Sequence, residues 1–125
     1  MNKLDRLIEI LLKDRGVSAP DLDGIEKRRL FRALVNTRMP KAASEEFLQM
    51  QDEYLQEEIR SKGVTDLSSL APIKPDIYLW KGDITTLKCD AIVNAANSQM
   101  LGCFCPNHGC IDNAINTFAG VQLRS

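Results

Sequence analysis

The chain has 125 residues, of which 44% are hydrophobic and 26% charged, the composition of one soluble globular domain or a piece of one. The formal net charge is −1, which excludes a basic field for nucleic acid, so a phosphate would have to be held locally by backbone N–H groups. No apolar run is long enough to cross a bilayer and the charged start Met-Asn-Lys-Leu-Asp-Arg lacks a signal-peptide core, so a cytoplasmic protein without a membrane partner is expected.

Residues 3–13 read as a helix: Leu4, Leu7, Ile8, Leu11 and Leu12 form one apolar stripe with charges off it. A second helix starts at Asp23, with Glu26 at capping-box spacing, buries Leu30, Phe31, Leu34 and Val35, and stops before Met39-Pro40. Ser44 caps a third, whose buried side is Phe47, Leu48, Tyr54, Leu55 and Ile59 and which Gly63 ends. Residues 1–70 therefore form a helical N-terminal extension whose charges are solvated and in which nothing looks catalytic.

Two prolines mark residues 71–76 as an extended linker. From residue 77 to 125 the pattern turns to short β runs. Ile77 to Trp80 is one strand, with Trp80 expected in the core and a stacking role as the alternative. Ala91 to Val93 is a second, apolar throughout, as suits a strand buried on both faces. A helix starts near Ile111 and ends at Gly120 as a left-handed cap. Two strands and a helix cannot close an α/β sheet, so either another chain completes it or a longer protein continues it.

The chemistry sits between Cys89 and Asn113, which hold all four cysteines and the only histidine. In a reducing compartment these read as thiols and metal ligands, not a disulfide framework. Cys103, Cys105, His108 and Cys110 offer three thiolates and an imidazole, a set that suits Zn²⁺. If all four bind, the metal is structural. If only Cys103, His108 and Cys110 bind, a fourth position stays open for a water or substrate oxygen. Alternation along an extended segment is expected to separate Cys103 from Cys105, which favours the open site. Asn94 and Asn97, at the end of the second strand, can bond sugar hydroxyls or a carbonyl, or simply tie down a turn. Asp83 can accept from an amino group such as that of adenine, although an ordinary turn aspartate ranks first. Asp112, in the first turn of the last helix, complements its dipole.

Gly82-Asp83-Ile84-Thr85 followed by Asp90-Ala91-Ile92-Val93-Asn94-Ala95-Ala96-Asn97 resembles the opening of a macrodomain, the ADP-ribose-binding fold. The run from Leu101 to Asn113 is similar to the zinc-containing microbial macrodomains, and Arg32 to Asn36 with Gln51-Asp52-Glu53 resembles their helical extension. The resemblance implies an α/β fold, a helical extension followed by the first part of an α/β/α sandwich, incomplete after Ser125. It implies a zinc-dependent hydrolase that removes ADP-ribose from modified protein, reversing the work of a partner sirtuin-type ADP-ribosyltransferase. Asp83 would hold the adenine amino group, with the Ile84 backbone nearby. Asn97 would contact the distal ribose and serve catalysis, and Cys103, His108 and Cys110 would hold zinc beside it. Cys105 departs from the family pattern, where an aliphatic residue is usual. A chain lacking the second half of such a domain is expected to be impaired. A non-catalytic ADP-ribose-binding module and a zinc-stabilised interaction fragment are the alternatives.

Overall fold

The computed structural model describes residues 2–124. Met1 and Ser125, which the expected regions 1–70 and 77–125 include, lie outside the described residues.

Three helices form where the sequence caps and stripes them. Helix α1, Lys3–Lys13, is capped by Asn2, whose Oδ1 accepts the Asp5 N–H at 2.8 Å. Helix α2, Gly24–Thr37, is capped by Asp23, which accepts the Glu26 N–H at 2.8 Å; it ends where Arg38 turns extended, two residues before Pro40. Helix α3, Glu45–Lys62, is capped by Ser44 and stops at Gly63. Their apolar faces converge in one core of Leu7, Ile8, Leu11, Leu12, Phe31, Leu34, Val35, Phe47, Tyr54 and Leu55, closed by Val121. Phe31 and Tyr54 meet edge to face, with ring centroids 5.1 Å apart. Burial pushes the Tyr54 hydroxyl up to about 12, helped by the nearby Glu58 carboxylate.

Beyond Gly63 the structure is short and mixed. Strand β1, Thr65–Asp66, pairs in parallel with β4, Leu87–Lys88; β2, Pro72–Lys74, pairs antiparallel with β3, Ile77–Tyr78. Helix α4, Ile111–Ala119, packs on α2. The architecture is thus a mix of helices and small sheets, compatible with an α/β class.

Several β expectations need correction. The first strand covers only Ile77 and Tyr78, and its partner β2 lies inside the stretch read as a linker. Ala91 to Val93 form no strand and are exposed, Val93 at 87%. An apolar run becomes a buried strand only when a neighbour supplies ladder bonds, and among the described residues none pairs with it. Trp80 is half-buried outside the core, folded so closely over its own Gly82 that a Cβ there would overlap the indole. Gly120 ends α4 with φ 95° and ψ 165°, a glycine-only extended turn rather than a left-handed helical cap. No helix among the described residues is long and apolar enough to cross a membrane.

Candidate metal centre

The loop before α4 brings three soft ligands together. One ligand atom each from Cys103, His108 and Cys110 lies within 4.8 Å of the others. Cys103 Sγ and His108 Nδ1 are 3.7 Å apart. Tetrahedral zinc, with bonds of about 2.3 Å to sulfur and 2.0–2.1 Å to nitrogen, sets a sulfur–nitrogen separation of about 3.5 Å. The donor set therefore fits the metal in both chemistry and spacing. Cys103 and Cys110 are half-buried and His108 is exposed, so the group lies at the surface.

Cys105 stands outside this group and is exposed, as is Cys89. Residues two apart on an extended segment share a face, so alternation cannot be what separates Cys103 from Cys105. The turn does: the His108 N–H donates back to the Cys105 carbonyl at 3.2 Å, and Asn107 adopts a left-handed φ of 56°. That reversal returns the chain to Cys103 with His108 and leaves the Cys105 side chain outside. Cys110 is the N-cap of α4, its Sγ accepting the Asn113 N–H at 3.4 Å, so the third ligand is fixed at the positive end of a helix.

Gly102 enters the loop with φ 91°, and a Cβ there would sit 2.7 Å from Asn116 Cγ and 2.9 Å from Arg124 Nη2. That close approach lets the buried Arg124 guanidinium reach the Leu101 and Cys103 carbonyls at 2.6 and 3.1 Å while capping α2 at the Val35, Asn36 and Arg38 carbonyls. Burial pulls Arg124 below its ordinary value, opposed by Asp112 and Cys103.

Asn97 lies beside this loop. Its Nδ2 donates to the Gly102 carbonyl at 3.3 Å and its Oδ1 accepts the Gln99 N–H, so it pins the turn leading to Cys103. Asn94 donates through Nδ2 to Asp112 Oδ1 at 2.9 Å, and its own Oδ1 is buried without a partner. A buried acceptor in that state calls for a donor from a ligand or water. Asp112 is 4% exposed and does more than complement a dipole: it fixes Asn94 and accepts from Asn116 Nδ2 at 3.1 Å.

Asp83 and Ile84 are positioned separately. Asp83 caps the short 3₁₀ turn Ile84–Thr86 and accepts from the Thr85 hydroxyl at 2.6 Å and its N–H at 3.0 Å. The hydroxyl bond is the main reason its carboxyl is held below the usual range. This turn packs against α4, with Thr85, Thr86 and Phe118 lining one small cavity at the far end of that helix from Cys110.

The residues that hold the loop are ones the sequence leaves without a role. Asn36 accepts the Asn107 N–H, Arg32 grips Asn113, and Asn113 reaches the Cys105 carbonyl. The available signal is Arg32 and Asn36 four apart on α2, hence on one face, but nothing local names their partners.

No family model matches the chain. It is similar to a protein-ADP-ribose hydrolase of Treponema medium, 56% identical over 127 aligned positions that cover 95% of this chain and 48% of that protein. It is also similar to a protein-ADP-ribose hydrolase of Staphylococcus aureus, 56% identical over 96 positions covering 76% of this chain and 36% of that protein. A probable bifunctional ADP-ribose hydrolase/ADP-ribosyltransferase of Fusarium oxysporum f. sp. cubense is 42% identical over 114 positions, covering 82% of this chain and 19% of that protein. The chain thus spans about half, or less, of the length of the curated relatives it matches.

Proposed function

We propose that this chain carries the metal-binding part and one wall of the ligand site of a zinc-dependent hydrolase that releases ADP-ribose from modified protein, on the opening of a macrodomain. The similarity to proteins named protein-ADP-ribose hydrolase supports the substrate. The observation that carries the reading is the convergence of Cys103, His108 and Cys110 within 4.8 Å. Bound there, zinc supplies Lewis acidity at the open side of its ligand set.

The chain's own residues do the rest. Asn97, tied to Gly102 next to the first ligand, stands where an amide can orient the distal ribose. Asn94 brings a buried acceptor, so far unsatisfied, for a sugar hydroxyl, and Asp112 holds that side chain in place. Asp83, kept ionised by Thr85, accepts from the adenine amino group, with the Ile84 backbone beside it. A nine-residue helix is about 13 Å long, so ribose and adenine contacts at the two ends of α4 suit an extended dinucleotide-like ligand. The partner is an ADP-ribosylated protein in the cytoplasm. A relative whose name joins hydrolase and ADP-ribosyltransferase favours an enzyme of the second kind as the source of the modification; that it is of sirtuin type rests on the sequence resemblance alone.

Elemental analysis, ADP-ribose calorimetry and release of ADP-ribose from a modified protein, each with and without chelator, test this. Zinc in the purified chain, lost in His108→Ala, with release that is impaired but chelator-sensitive, is the expected outcome. Zinc-independent ADP-ribose binding without release would favour a plain binding module. Metal uptake unchanged in His108→Ala would remove the proposal.

A further inference from the structure

We propose that Arg32 and Asn36 of helix α2 are positioning residues for the metal, setting the shape of the ligand loop from the helical part of the chain. The inference rests on the reading of Cys103, His108 and Cys110 as zinc ligands and adds to it residues about seventy positions earlier in the chain.

The loop depends on one unusual backbone residue. Asn107 has φ 56°, and that reversal, directly before His108, aims the imidazole at Cys103. Asparagine tolerates this conformation but does not impose it. Asn36 does: its Oδ1 accepts the Asn107 N–H at 3.0 Å. Asn36 is 1% exposed, and its Nδ2 is committed to Thr117 Oγ1 at 2.9 Å, which fixes which end of the amide faces the loop.

One helical turn earlier on α2, Arg32 makes the second grip. Its Nε and Nη2 both donate to Asn113 Oδ1, at 3.0 and 2.8 Å. With its oxygen held, Asn113 directs Nδ2 to the Cys105 carbonyl at 2.9 Å, while its backbone N–H, in the first turn of α4, donates to the Cys110 sulfur at 3.4 Å. Asn113 is fully buried, so neither bond is easily replaced by water. The two grips together fix the turn between Cys103 and His108 and the entry of Cys110 into α4. Without them the loop would have to be ordered by the metal itself, and that ordering would be subtracted from the metal's affinity.

Partners that orient metal ligands from outside the coordination shell typically change affinity by about 10- to 100-fold when removed. The test is zinc affinity of the full chain, by competition with a chromophoric chelator, in Asn36→Leu, Arg32→Met, His108→Ala and Leu12→Ala. Leu12 is a core residue of α1 and serves as the control for lost stability alone. Arg32 is only half-buried, so Arg32→Met remains informative if Asn36→Leu fails to fold. The expected result is at least about a tenfold loss of affinity in Asn36→Leu and Arg32→Met, with Leu12→Ala melting earlier yet binding zinc like the parent chain. Parent-like affinity in both α2 variants, while His108→Ala has lost zinc, overturns this inference alone. So does a loss that merely follows melting temperature, Leu12→Ala included. A parent chain that takes up no zinc overturns the ligand reading and this inference with it.

Discussion

The two parts of this molecule are held by different forces. From Lys3 to Lys62 three helices bury a continuous apolar core between them, and capping side chains finish each end.

 Two of the polar side chains buried there, Asn36 and Gln51, face the second part. From Val64 onward the strands are two or three residues long and large apolar side chains such as Leu79, Val93 and Met100 stand in solvent. The metal loop in this second part is ordered by polar bonds, and many of them come from α2. A packed core tolerates volume-conserving apolar swaps, because each contact is one of many. A loop held by a few directional bonds fails at specific residues. The candidate chemistry lies entirely in the second kind of structure.

The largest loss of global stability is expected in the helical core. Leu7 is completely buried, so Leu7→Ala should cost about 2–5 kcal/mol, read from urea unfolding. A cost under about 1 kcal/mol would mean that the core is not closely packed and that the contrast between the regions is overdrawn.

Zinc should act on the other region. At a free concentration a hundred times its dissociation constant it should stabilise the chain by about 2.7 kcal/mol. Hydrogen exchange should slow chiefly in residues 102–113 and little in the interior of α1. His108→Ala should abolish both effects. Protection spread evenly over α1 and the loop would break the distinction, since metal order would then be shared by the whole molecule.

Arg124 joins the two regions, with one guanidinium bonded to the end of α2 and to the Leu101 and Cys103 carbonyls. Arg124→Met keeps the apolar stem but removes those donors. It should cost about 1.5–3 kcal/mol and speed exchange at the loop and the end of α2 together. Faster exchange at only one of them would show that the regions are coupled elsewhere.

How legible each region is in the sequence follows from the same contrast. The helices obey rules local to a few residues. The stripe of Leu7, Leu11 and Leu12, the caps Asp23 and Ser44, and the stops before Pro40 and at Gly63 all stand where the sequence puts them. The three metal candidates were also visible, because ligand type and clustering are written in the chain itself. The exclusion of Cys105 follows from a left-handed Asn107 that no periodicity reveals. Arg32, Asn36 and Arg124 escape notice because their partners lie 81, 71 and 21 residues away. The run Ala91 to Val93 reads as a strand by composition, but strand formation depends on a pairing neighbour, which composition does not supply.

The smallest effect expected is at the Asp83 turn, where the carboxylate itself is exposed to water. Thr85→Val deletes the hydroxyl bond that chiefly depresses the Asp83 carboxyl and leaves the backbone N–H bond intact. A folded value below the unfolded one means stability that is present above the unfolded value, about 3.9, and lost as pH falls through the folded value. Thr85→Val should therefore raise the Asp83 value, read by carboxyl-detected NMR. Because Asp83 is largely solvated, the loss at neutral pH should stay below about 0.5 kcal/mol and vanish in acid. An unchanged Asp83 titration would place its control elsewhere, with Lys62, 4.0 Å away, the next group to test. A loss that persisted in acid would show that Thr85 packs the turn against α4 rather than tuning the carboxylate, and the adenine-facing role proposed for Asp83 would then lose its electrostatic support.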